Sequence, residues 1–77
     1  MKINIESTTK RVDLVVDGSS IPARIWEGHT ESGIPVHAYI TRIAVHNSEN
    51  HAQFERELQE CRKPSVDVQA IPLRMIL

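Results

Sequence analysis

Alternation of apolar and polar residues dominates the first half of the chain and predicts β-strands. One alternation covers residues 2–7 and a second covers 12–17. A period of two places successive side chains on opposite faces of a strand. The polar stretch 8–11 between them predicts a turn. Asp17-Gly18 predicts a β-hairpin, because Gly adopts positive φ without penalty, and Ser19-Ser20 is expected to lengthen this hairpin turn.

Residues 21–40 predict two further antiparallel strands, and burial selects their register. With Ile25 opposite Val36, one face is entirely apolar and consists of Ile21, Ala23, Ile25, Val36, Ala38 and Ile40. The other face then carries Arg24, Trp26, His37, Tyr39 and Thr41. A slip of one residue would mix the two sets. The loop joining the strands is predicted at Gly28–Gly33.

Two irregularities are expected in these strands. Pro22 and Pro35 lack a backbone N–H, so each should lie at a strand end, an edge or a bulge. The apolar phase changes between Ile40 and Ile43. This change predicts either a bulge near Thr41-Arg42 or a strand covered on both faces.

The second half of the chain predicts one amphipathic helix and a final strand. The helix is expected over Ser48–Lys63, with Asn47 or Ser48 as N-cap and Pro64 preventing its continuation. Its apolar stripe consists of Phe54, Leu58 and Cys61. The alternating stretch 66–70 then predicts a strand that leads into the apolar tail Leu73–Leu77.

Together these elements predict one α+β domain over residues 1–77. It is an antiparallel β-meander of four strands with one amphipathic helix packed on it and a C-terminal strand (ββββαβ). We expect the helix to cover the apolar face and to leave the Trp26 face accessible. A small core and an apolar tail also predict edge pairing of two chains, and therefore a homodimer.

Composition narrows the class of protein. The formal net charge of −1 argues against a broad electrostatic interaction with nucleic acid. Cys61 is the single cysteine, so a disulfide within the chain is excluded, as is usual in a reducing cytosol. The pattern predicts no signal peptide and no membrane span.

The predicted partner-binding site consists of five residues, namely Arg24, Trp26, His37, Tyr39 and Arg42. Trp, Tyr and Arg are enriched at binding hot spots. Two structural interpretations remain open: the helix covers these aromatic residues as ordinary core, or the Trp–Tyr pair stiffens an exposed strand pair. Basic residues interleaved with aromatic ones also leave a small nucleic-acid-binding regulator as the alternative function.

Neither catalysis nor metal binding is indicated by the sequence, and we expect no enzyme activity, no metal and no cofactor. Cys61 falls on the apolar stripe, where a thiol is buried and unreactive. The carboxylates that flank predicted turns look solvated, namely Asp13, Asp17, Glu27 and Glu31. The candidate zinc ligands His37, His46, His51 and Cys61 lack the spacing of a zinc site. The loop Gly28–Gly33 joins strand to strand, unlike a phosphate-binding loop.

The stretch Ile21–Val45, IPARIWEGHTESGIPVHAYITRIAV, carries a resemblance to a known class, together with the opening MKINIESTTK and the ending AIPLRMIL. It resembles the small uncharacterised proteins that bacteriophages and prophages encode. The resemblance implies an accessory protein in the cytoplasm of a bacterial host. Such proteins bind and block a host complex, anti-CRISPR and other anti-defence proteins among them. It assigns no functional residue.

Overall fold

A long β-hairpin forms the centre of the fold. In the computed structural model, which describes residues 1–77 apart from the side chain of Ser48, β1 (Ile3–Val16) pairs antiparallel with β2 (Ser19–Thr30). Asp17 and Gly18 have φ values of 50° and 81°, and a two-residue hairpin turn requires such positive values. The predicted hairpin is therefore confirmed, but Ser19 pairs with Val16 and belongs to the strand instead of the turn.

The polar stretch 8–11, predicted as a turn, instead continues β1 through a bulge. Thr8–Lys10 lies opposite the single residue Ile25 of β2. The fully buried Thr8 hydroxyl donates to the Ile25 carbonyl at 2.7 Å and accepts from the Lys10 N–H at 3.2 Å. The turn prediction is wrong because these local hydrogen bonds satisfy the bulged backbone and let the strand continue.

β3 (Pro35–Ile40) pairs antiparallel with β2, but in a register that differs from the predicted one. Ile25 lies opposite Tyr39 instead of Val36. Because this displacement is an odd number of residues, it exchanges the faces of all β3 side chains relative to β2. The predicted continuous apolar face is therefore wrong. We call the face that carries Ile25 the inner face and the face that carries Trp26 the outer face.

The loop between β2 and β3 explains this register. The N–H of Thr30 donates to the carbonyl of Ile34 at 3.0 Å, and the N–H of Gly33 donates to the carbonyl of Thr30 at 3.0 Å. Gly33 has a φ of 90°, a left-handed conformation that glycine adopts readily. The loop is thus shorter than the predicted Gly28–Gly33, and Gly28 belongs to β2.

Both prolines lie where the prediction placed them. Pro35 begins β3. Pro22 lies in the part of β2 beyond the residues that β3 contacts, which are 24–29, so it occupies an edge position. The bulge expected near Thr41-Arg42 is wrong, because β3 ends at Ile40.

The single predicted helix over Ser48–Lys63 is wrong in length. A 3₁₀ turn (Ser48–Asn50) precedes α1 (His51–Leu58). Asn47 Oδ1 accepts from the N–H of Glu49 at 2.8 Å, so Asn47 caps the 3₁₀ turn. The prediction that Asn47 caps the helix itself is wrong, because the N-cap of α1 is Asn50. The alternative cap, the side chain of Ser48, lies outside the described residues.

Residues 59–65 form a crossing segment that passes around the edge of β1. The Ser7 hydroxyl donates to the Glu60 carbonyl at 2.8 Å. The Thr9 N–H donates to the Arg62 carbonyl at 3.0 Å, and the Arg62 N–H donates to the Ser7 carbonyl at 3.1 Å. The helix ends early because the open edge of β1 supplies these backbone partners.

α2 (Val66–Gln69) replaces the strand predicted over 66–70. The Ser65 hydroxyl accepts from the Val68 N–H at 3.3 Å, which is the usual arrangement of a helix N-cap. Val68 is only 2% exposed and packs against the inner face. The core cluster consists of Val12, Leu14, Ala23, Ile25 and Val68, with Tyr39, Ile71 and Met75 packed against it.

β4 (Arg74–Ile76) completes the sheet, so a C-terminal strand is present, but it lies in the apolar tail and not in the predicted stretch 66–70. It runs parallel to β1, and the strand order is β3-β2-β1-β4. The protein therefore has mixed α and β structure as predicted, but the ββββαβ meander is not confirmed because the sheet is mixed.

The expectation that the long helix covers the face of Ile25 and leaves the face of Trp26 accessible is wrong. The end of α1 lies over the outer face beside the half-buried Trp26, and α2 covers the inner face. Because α1 and α2 lie over opposite faces of the sheet, apolar residues occur on both faces.

Candidate functional site

The structure divides the predicted partner-binding residues between the two faces of the sheet. Trp26 lies opposite Ala38, whereas Tyr39 lies opposite Ile25. Arg24 therefore shares the outer face with Trp26, and His37 shares the inner face with Tyr39. The prediction of one common face is wrong for the physical reason given above: turn geometry sets a register of the other parity.

Three of the five predicted residues nevertheless come together on the outer face. Arg24, Trp26 and Arg42 line a shallow groove of about 250 Å³ between β3 and the end of α1. Apolar side chains complete its walls, namely Ile40, Ile43 and Leu58. We call this site the Trp26 groove. Ile43 is 44% exposed at its edge and Arg42 is exposed, so the groove is open to a partner.

Contacts with the crossing segment hold Arg24 in place. A guanidinium N–H of Arg24 donates to the sulfur of Cys61. Cys61 was expected to be buried on the helix stripe, but it lies half-buried beyond the end of α1 as a free thiol. Ser7 of β1, which also lines the groove, donates a hydrogen bond from its hydroxyl to the Glu60 carbonyl. The crossing segment therefore contacts both β1 and β2 at the groove.

A second cation lies next to Arg24. Arg11 of β1 and Arg24 of β2 are direct partners in the antiparallel ladder. Like charges placed opposite one another in a sheet are destabilising. The two-residue turn at Asp17-Gly18 sets this pair, since the register is unbroken from Val16 opposite Ser19 to Arg11 opposite Arg24. Sequence reasoning missed it because it assigned Arg11 to a turn and lengthened the hairpin turn with Ser19-Ser20.

Carboxylates lie on the other side of Trp26. A neighbouring depression of about 420 Å³ shares Trp26 with the groove and is also lined by Glu57, Glu60 and the ion pair of Glu6 with Arg62. The indole thus lies between a basic side and an acidic side. The helical spacing of Glu57 and Glu60 was visible in the sequence, but their position beside Trp26 depends on the crossing segment.

His37 and Tyr39 lie on the inner face, at the edge of the hydrophobic core. The His37 Nε2 and Tyr39 hydroxyl lie 3.1 Å apart, and the two rings meet edge to face with centroids 5.4 Å apart. Tyr39 packs against the core cluster, while His37 is exposed. For Tyr39 the open interpretation of ordinary core packing is therefore the one that the structure supports.

An ion network on the inner face joins the crossing segment to the sheet. Glu6 and Glu27 are ladder partners, and Arg62 lies between them, with Nε 3.4 Å from Glu6 Oε1 and Nη2 3.6 Å from Glu27 Oε2. The Ser65 N–H donates to Glu27 Oε2 at 2.7 Å. Glu27 is 8% exposed, so the expectation that it is solvated is wrong.

The pKa of Glu27 lies below its ordinary value of 4.5. Burial is the largest single influence and raises the pKa. The hydrogen bonds from Ser65, followed by the charges of Arg62 and His37, together lower it by more. A general acid needs a raised pKa, so this carboxylate is suited to a structural role.

Among the described residues, no group of three or more His, Cys, Asp or Glu side chains is placed to hold a metal ion. Within the same part of the chain, no helix is long and apolar enough to cross a membrane. Comparison of the chain with protein-family models, curated proteins and solved structures finds no match.

Proposed function

We propose that this protein is a non-enzymatic binding domain that contacts a partner protein through the Trp26 groove. In the cytoplasm of a bacterial host it acts as a phage-type accessory protein and inhibits a host defence complex, such as a CRISPR complex. The resemblance to small phage-encoded proteins supplies the biological setting of this proposal. The outer face supplies its physical basis.

The convergence of Arg24, Trp26 and Arg42 in one open groove is the observation that carries the proposal. Trp and Arg dominate the energetics of protein interfaces because they combine a large contact area with directed polar groups. The surrounding aliphatic residues exclude water, as the residues around a hot spot do. A groove of about 250 Å³ is also smaller than typical small-molecule pockets, which favours a protein side chain as its occupant.

The inner face is a weaker candidate for partner binding than the outer face. Two wider depressions of about 650 and 480 Å³ meet at Arg62, but this guanidinium is already paired with Glu6 and Glu27. A paired and half-buried charge stabilises the fold and offers little to a ligand. The outer face is therefore the better candidate for recognition.

We further propose that two copies of the chain associate through β4. This strand lies at the edge of the sheet. Leu73, which precedes it, is 67% exposed, and Ile76 within it is 83% exposed. Exposed apolar residues on an open edge favour strand pairing with a second chain. The Trp26 groove lies on a different strand pair, so self-association leaves it free.

The first experiment is affinity capture from nuclease-treated bacterial lysate, with bound proteins identified by mass spectrometry. We expect the wild-type chain to retain subunits of a defence complex and Trp26→Ala to lose them. His37→Ala is the matched control, because this predicted site residue lies on the opposite face. Circular dichroism checks that each variant is folded. Capture that depends on His37 and not on Trp26 would contradict the proposed site.

The second experiment measures inhibition in cells. In a host that carries the captured defence complex, expression of the protein should restore plaque formation by a phage that the complex targets. Trp26→Ala should not restore it, whereas His37→Ala should. Plaque counts that stay low with the wild-type protein would refute inhibition. Retention on single-stranded DNA or RNA that disappears at high salt would instead support the nucleic-acid-binding alternative.

A further inference from the structure

We propose that the partner segment that enters the Trp26 groove is acidic and carries an apolar anchor side chain. This inference rests on the proposed function and adds the chemistry of the partner. It follows from the charges and the apolar surface that meet at Trp26.

The cations of the groove are not neutralised within the described part of the chain. There, carboxylates contact Arg62 and His51, but neither Arg24 nor Arg42 forms an ion pair. Arg24 instead donates to the sulfur of Cys61 and lies opposite Arg11 in the ladder. The chain has more acidic than basic residues, so this local excess of positive charge is a property of the site. A carboxylate from a partner would neutralise it through charge-assisted hydrogen bonds.

The apolar part of the groove favours binding of an aliphatic or aromatic side chain. Trp26 and Leu58 are half-buried and Ile43 is 44% exposed, so an inserted side chain would remove apolar surface from water on several sides. Removal of apolar surface from water favours binding. The fixed position of Arg24 beside this surface would orient the acidic neighbour of the anchor.

The carboxylates beyond Trp26 favour a protein over a nucleic acid. Glu57 and Glu60 line the depression that shares Trp26 with the groove, and Glu6 lies there paired with Arg62. A nucleic-acid strand stacked on the indole would bring its phosphates close to these carboxylates, and like charges at short range repel. A polypeptide can place acidic residues over the arginines and a basic or neutral residue near the glutamates.

The test selects random dodecapeptides by display on the full-length protein. We expect the enriched peptides to carry net negative charge and a Leu, Ile or Phe anchor. Synthetic versions are then titrated against the protein while the emission of Trp26 is followed. Because the chain has one Trp, a change in its fluorescence reports occupation of the groove.

Charge reversal gives the decisive comparison. Arg42→Glu should weaken the selected peptides by about tenfold or more, since loss of an interfacial charge partner has effects of this size. Arg56→Glu is the matched control, because it makes the same change at an exposed position on α1 away from the groove, and it should alter affinity less than about twofold. Neutral or basic selected peptides, or equal effects of the two variants, would overturn the proposal.

Two further outcomes separate this inference from the proposed function. If a short oligothymidylate changes the Trp26 emission more strongly than the peptides do, the partner is a nucleic acid and the inference is wrong. If lysate capture depends on Trp26 but is unaffected by Arg42→Glu, the acidic-partner inference fails while the proposed function stands. If capture does not depend on Trp26 at all, the proposed function itself fails.

Discussion

The carboxylate of Glu27 accepts a 2.7 Å hydrogen bond from the backbone N–H of Ser65, which connects β2 to the residue that caps α2. The same carboxylate oxygen lies 3.6 Å from Arg62 Nη2. One side chain therefore fixes both the crossing segment and the helix that covers the core. This role makes Glu27 a position where a conservative change should be measurable.

Glu27→Gln keeps the shape of the side chain and removes its charge. We expect the free energy of unfolding to fall by about 1–2 kcal/mol, because the hydrogen bond from Ser65 loses its charge assistance and the ion pair with Arg62 is lost. Urea denaturation measures the change. Glu55→Gln, on the exposed face of α1, is the matched control and should change stability by less than about 0.5 kcal/mol. Equal effects would show that the network contributes nothing.

The acid sensitivity of the fold should depend on Glu27. Its folded-state pKa is lowered below the ordinary 4.5, so its contribution is complete above that pH and is lost as the pH falls through the folded pKa. The difference in stability between wild type and Glu27→Gln should therefore be constant near neutral pH and shrink below about pH 4.5. Urea denaturation at a series of pH values measures it. A difference that persists unchanged in acid would contradict this assignment.

Thr8→Val should be destabilising although the two side chains have nearly the same shape. The change leaves the Ile25 carbonyl without its 2.7 Å hydrogen bond in a fully buried position. The expected loss is about 1–3 kcal/mol. Thr9→Val is the control, since Thr9 is exposed and a branched apolar residue suits a strand. If both variants unfold at the same urea concentration as wild type, the bulge does not depend on the hydroxyl.

Gly28→Ala tests the close approach of β1 and β2. An added Cβ at Gly28 would lie 1.8 Å from the carbonyl oxygen of Asn4, so the ladder must open there. We expect a loss of more than about 2 kcal/mol in thermal or urea unfolding. Gly33→Ala meets no atom within 4 Å but has a φ of 90°, and should cost about 1 kcal/mol. The reverse order of the two effects would contradict this account.

Self-association through β4 predicts a specific response to charge. Light scattering at high concentration should give twice the 8.7 kDa mass of one chain. Ile76→Lys should give the mass of a single chain, because a charge on the open edge opposes strand pairing. Val66→Lys is the control: Val66 is 85% exposed but lies on α2, so the dimer should persist. A single-chain mass for the wild type would exclude the dimer.

Local patterns predicted the elements better than their pairing. Alternation found the strands, and Asp17-Gly18 found the first hairpin, because both signals act between near neighbours. The second hairpin was predicted from burial alone, which favoured Ile25 opposite Val36. Gly33 and the hydrogen bonds of Thr30 decide otherwise. Turn geometry prevailed because both faces of the sheet are partly covered, so neither register leaves all apolar residues in water.

The sequence predicted only part of the candidate site, because local patterns do not determine how the strands pair. Trp26 and Arg24 are two residues apart on one strand, so their common face follows from β-geometry alone. The separation of His37 and Tyr39 depends on the register, and the arrival of Leu58 depends on where the helix ends. The end of α1 is set by hydrogen bonds of Ser7 and Thr9 with a segment more than fifty residues away in sequence. Contacts of that range leave no local sequence signal.

The crossing segment and β4 determine how much of the β1 edge would be exposed in a cleaved chain. β1 is fourteen residues long, and an uncovered strand edge of that length readily templates cross-β assembly. Arg62 covers this edge beside Thr8, and β4 covers it from Asp13 to Val15. A chain cut between β3 and α1 that lost its second half would expose most of the edge. The C-terminal half of the protein therefore protects the edge of β1 against fibril formation.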